Sequence, residues 1–556
     1  MSWDEEYDFV TIGSGAAGLM GAAIAAEQGG RVAILEAQPL LGGTTSFSGA
    51  LLWAPCNRWQ AAAGIADDRA TVERYIERCL GPERARDPRW KVFLDEINEV
   101  LHWLETNTQM RFQLTRYPDS YGEWPDGRCT RHVVSRPVSL RPLGDWVSKL
   151  RRPAHAGQDA LTMLDIETTH AWLSPRAPRN MLRLVPKVIS RKLTNRVGMG
   201  VGLIAALLSY SLGKGAIVRI EHRVTALIRE NGRVTGVKVS TPSGDRYIGA
   251  HRGVLLACGG FDHDDALKAE LLPGPIAGPQ SPAVGRGDNI RLAREVGARM
   301  AALDEAWYLP SLVPPGGTYE GRALPVPILA ERYAPHTLWV NRAGERFVNE
   351  SGQNAANAFY VQDAHGNLPN LPCFTIFDRQ YRDRYNLFLT VAPKDPDPPN
   401  LFRANTLEEL AARIGVNAAG LARTVARFNQ MAARGRDDQF GRGMGAYDTY
   451  FGERNAPHPN LGTIEKPPFY AFEVLTGAVG TKGGPLTNAD GCVIAQNGGV
   501  IEGLYAAGNA CAAFNGPITV AGGCTIPPAL VMARQAARHS MARDRGSVQL
   551  KAAAIA

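Results

Sequence analysis

Asp8–Gly18 reads DFVTIGSGAAG. Phe9–Ile12 is a short apolar run with strand character, and it leads into Gly13-Ser14-Gly15-Ala16-Ala17-Gly18. An Ala-rich stretch with helical character, Leu19–Gln28, comes next. The pattern is GxGxxG set between a strand and a helix. Gly13 permits the tight turn, Gly15 lets the backbone approach a pyrophosphate, and Gly18 lets helix and strand pack closely. Ser14, Ala16 and Ala17 belong to the same turn and share in the expected contact. The helix N-terminus then faces the phosphates with free N–H groups and the positive end of its dipole. A second strand, Arg31–Leu35, ends at Glu36, followed by Ala37. That acid stands about 20 residues past the middle glycine, where a ribose hydroxyl needs an acceptor. Strand, glycines, helix, strand and acid in this order predict a Rossmann-type α/β domain that binds a dinucleotide.

Just beyond comes Leu41-Gly42-Gly43-Thr44-Thr45-Ser46. In GxGxxG flavoproteins a GG-(T/S) turn at this point meets the cofactor again, and this stretch resembles it. The expected dinucleotide is therefore FAD, with Gly43, Thr44, Thr45, Ser48 and Gly49 as further contacts. No second GxGxxG of comparable quality follows. A separate NAD(P)H domain is thus not expected, and electrons should leave to a quinone, a carrier protein or oxygen.

The chain returns to the cofactor later. Arg219–Val239 reads as strand, turn, strand, and places the Val224 backbone at the adenine side. Arg252–Phe261 (RGVLLACGGF) is a buried strand ending in a glycine pair, which adds Ala257 and Gly259. Gly503–Asn509 (GLYAAGN) brings Gly508 and Asn509 beside the flavin. Thr525–Gln535 starts a final helix, with Thr525 and Ile526 at its N-terminus. That terminus would face the flavin edge that becomes negative on reduction. Residues 284–469 interrupt these parts and include Gly287-Asp288-Asn289, whose Asp288 is counted with the cofactor contacts. The expected organisation is an FAD-binding domain over 1–283 and 470–545, an inserted α+β cap, or catalytic, domain over 284–469, and a tail over 546–556. A pocket between two such domains suits an apolar ligand.

The 556 residues are 45% hydrophobic, ample for a buried core. The net charge of +7 has one concentrated stretch, Arg179–Arg196 (RNMLRLVPKVISRKLTNR). A nucleic-acid partner would need a basic face. The apolar neighbours of this stretch fit a membrane or substrate-entry surface better, so peripheral membrane contact is an open alternative and nucleic acid is not. Val197–Leu212 is uncharged but shorter than the roughly 20 residues that cross a bilayer. It reads as a buried helix. The chain starts with an acidic stretch and no apolar signal region, and its eight cysteines show no CxxC or metal spacing. These features predict a cytoplasmic protein with free thiols and no metal.

GSGAAG, GGTTSFSGALLWAP (42–55), GDNIRLAREVGA (287–298), NRAGERFVNE (341–350), PPFYAF (467–472), GTKGGPLTNADG (480–491) and GLYAAGN together resemble one family. It is the 3-ketosteroid dehydrogenase branch of the fumarate reductase/succinate dehydrogenase flavoprotein superfamily, and the resemblance spans nearly the whole chain. It implies proton abstraction next to a ketone and hydride transfer from the neighbouring carbon to flavin N5. A donor pair, a tyrosine and a glycine N–H, holds the ketone oxygen, and two further tyrosines serve the proton abstraction. The substrate so implied is a bulky apolar cyclic ketone such as a 3-ketosteroid.

The sequence departs from that pattern at the chemistry. The family's Tyr-Pro-Gly-x-Gly stands here as Thr519-Val520-Ala521-Gly522-Gly523, which keeps the glycine donor as Gly523 and replaces the tyrosine with Thr519. The cap tyrosine position falls at Asn354, and Ser120 stands for the tyrosine of Pro-Asp-Tyr, with Tyr121 next to it. Thr519 could still donate to a carbonyl, and Tyr121, Tyr308 and Tyr117 are candidate replacement acids or bases, Tyr121 first among them. Tyr470 is expected near the flavin. Two alternatives stay open: a flavin reductase of an activated C=C bond, and an FAD-binding protein that has lost desaturase activity.

Overall fold

The computed structural model of the chain describes residues 2–154, 157–170, 182–388 and 390–542, so the expected tail over 546–556 lies outside it. Glu5–Ile12 is a strand with Phe9, Val10 and Ile12 all buried. Apolar residues on both of its faces are what a parallel strand covered by helices requires. It pairs in parallel with Val32–Leu35 on one side and Gly244–Leu256 on the other. The outer neighbours, Ile217–Arg219 and Val500–Ala506, are parallel too. Arg223–Glu230 and Arg233–Thr241 extend Gly244–Leu256 as an antiparallel ribbon. Early and late segments of the chain thus share one eight-stranded sheet.

The helices Ala16–Glu27 and Ile526–Ala542 pack against each other, and both are buried along most of their length. Pro88–Asn107 packs on Ile526–Ala542, and Met199–Gly213 packs on Ala16–Glu27. The last of these is the apolar segment of the sequence, and it is a core helix. Among the described residues no helix is long and apolar enough to cross a membrane.

A second, antiparallel sheet joins Thr337–Val340, Cys373–Asp378, Phe469–Val474 and Phe402–Ala404. Helices Leu407–Ile414 and Ala418–Arg434 bury Leu410, Leu421, Val425 and Phe428 with Leu338, Ile376 and Ala471 of this sheet. Tyr333, Tyr381, Tyr447, Phe377 and Phe472 share a separate aromatic core. The fold is a Rossmann-type α/β domain carrying an inserted α+β cap. Phe469–Val474 runs across the expected junction at 469/470, so the chain leaves the second sheet only after Val474. Tyr470 accordingly stacks on Phe377 at 5.3 Å inside the cap sheet, away from its expected place by the flavin. The apolar β-prone run PPFYAF fits either sheet, and its partner strand lies about a hundred residues earlier.

Candidate functional site

The parallel strands Glu5–Ile12, Val32–Leu35 and Gly244–Leu256 end together, and a cavity of about 810 Å³ opens at that edge. Ligands of doubly wound sheets bind at such carboxyl ends. Of the expected cofactor contacts, Gly13, Ser14, Gly15, Ala16, Ala17, Glu36, Ala37, Gly43, Thr44, Thr45, Ser48, Gly49, Val224, Ala257, Gly259, Asp288, Gly508, Asn509, Thr525 and Ile526 line it. Gly18 does not; it packs under the turn, where a Cβ would lie 1.9 Å from the Gly13 carbonyl oxygen. Gly13 itself has φ +105°, and a Cβ there would sit 2.5 Å from the Ala257 carbonyl.

Three polar ties shape this end. Ser14 Oγ donates to Glu36 Oε2 (2.6 Å) and accepts from the Gly42 N–H (2.9 Å), so it joins the two glycine turns. The Ser14 N–H also donates to Glu36 Oε2 (3.0 Å). The Ala16 N–H donates to Thr45 Oγ1 (3.2 Å). Gly15 has no side chain with which to cap the helix that follows it, and Thr45 of the second glycine turn takes the Ala16 N–H instead. Burial pushes the Glu36 carboxyl above its ordinary value, while its bonds to Ser14 and Gln38 oppose that shift. Arg223 Nη2 donates to Asp288 Oδ1 (2.6 Å) beside Val224. A side-chain-free glycine cradle, a helix N-terminus that starts on glycine and a buried carboxylate at the second strand fit the pyrophosphate and ribose of FAD.

The cavity continues between the large sheet and the cap. Its lining there is largely apolar, with Phe47, Met163, Leu309, Leu324, Ile328 and Phe451 among it. Gly523, Tyr117, Tyr333 and Tyr447 line the same space. Tyr333 and Tyr447 hydroxyls are 3.2 Å apart. Gly523 has φ +71°, and its N–H meets no protein acceptor among the described residues.

The other residues expected to act on substrate lie elsewhere. Ser120, Asn354 and Thr519 do come together, as the resemblance implies, but around a backbone knot. The Thr519 N–H donates to Asn354 Oδ1 (2.8 Å), while Ser120 Oγ and Asn354 Nδ2 donate to the Thr519 carbonyl (2.6 and 3.1 Å). Asn354 Nδ2 also reaches the Tyr121 hydroxyl at 3.4 Å. Tyr121 stacks on Trp124 (centroids 4.2 Å apart) and Tyr308 on Tyr360 (4.1 Å). None of Tyr121, Thr519, Asn354 and Tyr308 is part of the cavity wall. Ser120, Asn354 and Thr519 are thus bonded to one another, and of the candidate tyrosines only Tyr117 reaches the cavity. Tyr333 and Tyr447 carry no signal of their own, since each belongs to a cap segment without a motif. His222, Arg223 and Cys258 also line the cavity and were marked only through their neighbours Val224 and Ala257.

The sequence pattern of the FAD binding domain family matches residues 8–526. A 3-oxosteroid 1-dehydrogenase of Mycobacterium tuberculosis (strain ATCC 25618 / H37Rv) is 34% identical over 96% of this chain and 98% of its own length. A 4-oxocyclohexanecarboxylate 2-dehydrogenase of Sinomonas cyclohexanicum is 35% identical over 99% of this chain and 95% of its own. The crystal structure of the 3-ketosteroid delta1-dehydrogenase of Sterolibacterium denitrificans superposes with a TM-score of 0.88 at 30% identity. It covers 97% of this chain and 100% of that one, and holds 1,4-androstadiene-3,17-dione. The chain belongs to the FAD binding domain family, in its 3-ketosteroid dehydrogenase-like branch, and is an FAD-dependent oxidoreductase.

Proposed function

We propose that this enzyme desaturates the carbon–carbon bond next to the carbonyl of a bulky apolar cyclic ketone of the 3-ketosteroid kind. The observation that carries the reading is the apolar chamber that prolongs the FAD cavity and keeps a backbone donor, Gly523, on its wall. FAD, when bound along the Gly13–Gly18 turn, supplies the acceptor for the hydride that leaves the β-carbon. The protein's part is to seat the ring, exclude water and hold the ketone oxygen as enolate charge develops on it, which eases loss of the α-proton. The two arginines on the cavity wall, Arg223 and Arg286, stand at the Asp288 end, so nothing in the chamber matches a small dicarboxylate. The electron acceptor is a quinone, a carrier protein or oxygen.

Peripheral contact with a membrane fits the helix Val185–Leu193. Val185, Ile189 and Leu193 are 45%, 52% and 80% exposed on one stripe with the exposed Lys192 beside it, while Lys187 on the opposite face pairs with Asp165. An amphipathic basic helix of this kind lies in a lipid interface.

Anaerobic mixing of the holoenzyme with 3-ketosteroids and with plain cyclohexanones tests the reaction. Prompt bleaching of the flavin by a saturated or 4-ene ketone is the expected result. No bleaching, with reoxidation of the dithionite-reduced enzyme by an enone, would instead make it a C=C reductase.

A further inference from the structure

The corner where the family keeps its phenol donor is filled here by Thr519, whose backbone is tied to Asn354 and Ser120. Gly523 N–H therefore needs a different partner to hold an oxygen. Tyr117 is a phenol packed against the same turn and on the same cavity wall: a Cβ on Gly522 would lie 2.7 Å from Tyr117 Oη and 2.6 Å from its ring. Only a glycine fits there. His132, whose ring centroid is 5.0 Å from that of Tyr117, closes the other side of the same turn. Its Nε2 lies 2.8 Å from the Gly522 carbonyl oxygen, which can only accept, so Nε2 donates. The Gly522 carbonyl and the Gly523 N–H belong to one planar trans peptide and point in opposite directions. Pinning the carbonyl on His132 thus turns the N–H away from His132, and Gly523 lines the cavity.

We propose that Tyr117 O–H and Gly523 N–H form the donor pair for the ketone oxygen, with His132 as the positioning residue that fixes the peptide carrying the N–H. The proposal rests on the desaturase reading above and assigns the donor that the family places elsewhere. Tyr117 is suited to donate rather than to take a proton. Burial, then the neighbouring phenols of Tyr333 and Tyr450, push its hydroxyl well above the ordinary tyrosine value, against the pull of Tyr447 and Arg332. It stays protonated while an oxyanion forms beside it. Tyr447, whose ring is 6.1 Å from that of Tyr117, packs it in place.

Two readouts on FAD-loaded enzyme test this. The first is the rate of anaerobic flavin reduction by the ketone, and the second is binding of 4-nitrophenol at fixed pH. The visible absorbance of 4-nitrophenol reports how far the site favours the phenolate, and no turnover is needed. Tyr117→Phe should slow reduction by about 10²–10³-fold, as loss of one oxyanion donor does, and cut the phenolate preference at least about ten-fold. FAD content should be unchanged. His132→Leu should lower the reduction rate with little change in KM, and His132→Gln, which keeps an N–H donor, should recover part of it. A wild-type enzyme that favours the phenolate through Tyr117, yet is reduced by no ketone, would leave the donor pair standing and sink the desaturase reading. Full reduction and phenolate binding by Tyr117→Phe would overturn the donor pair and leave that reading intact. So would loss of both in Tyr121→Phe instead.

Discussion

His132 is buried and holds the Gly522 carbonyl at 2.8 Å. Burial lowers its imidazole from 6.5 to about 3, with the Arg131 charge adding to the fall and the bond to Gly522 opposing it. Below about pH 6.5 the unfolded chain takes up a proton at this residue that the folded protein refuses, so the contribution of His132 to stability declines as pH drops from there towards about 3. One such group contributes up to about 1.4 kcal/mol per pH unit. Between pH 7.5 and 5 the urea midpoint of the holoenzyme should lose less with falling pH in His132→Gln than in the wild type. Equal slopes in both proteins would show that the site charges freely. The residue scale is also where the sequence was most and least readable. The cofactor contacts cluster in motifs because a pyrophosphate needs bare backbone, and bare backbone means glycine. The gathering of Ser120, Asn354 and Thr519 is what the family resemblance implies for these three positions. Which phenol faces the cavity it does not imply, since Tyr117, Tyr333 and Tyr447 meet only through tertiary packing of segments with no shared pattern.

At the scale of elements, periodicity and length did most of the work. Phe9–Ile12 and Val32–Leu35 are short, largely apolar runs and Ala16–Glu27 is alanine-rich, and each forms the element that its pattern demands, the first strand beginning earlier at Glu5. Phe469–Val474 shows the limit, because a short apolar strand states that it is buried without stating against what. The helix Val185–Leu193 is a different case, with an apolar stripe that no described element covers and basic side chains around it. Exposed Arg183, Lys192 and Arg196 would each gain about 1 kcal/mol near an anionic surface. The enzyme should sediment with vesicles of anionic phospholipid, much less with neutral ones, and should be released by salt. Ile189→Glu should abolish the binding and leave FAD content untouched. Wild-type protein that stays in the supernatant with anionic vesicles would refute the contact.

For the whole molecule, the FAD cavity is also a joint. The large sheet closes only when Val500–Ala506 comes back beside Gly244–Leu256, and the helix Ile526–Ala542 then packs against Ala16–Glu27. Both late segments deliver cavity residues, Gly508 and Asn509 from one, Thr525 and Ile526 from the other. The cap enters the same wall through Tyr333 and Tyr447. A ligand bound there would touch early and late segments of the large-sheet domain and the insertion at once, and would bind the folded state alone. Mass action then requires stability to rise with free FAD, by about 2.7 kcal/mol at a hundred times its dissociation constant. Protein stripped of FAD should melt lower than the holoenzyme, and the midpoint should climb with each increment of added FAD. The loss should appear in the late segments first, as faster amide exchange over Val500–Ala506 and Ile526–Ala542 than over Phe469–Val474, whose sheet closes without the cofactor. Uniform exchange across both sheets in the stripped protein would mean that cap and Rossmann domain unfold as a single unit, and that FAD adds affinity without acting as the joint.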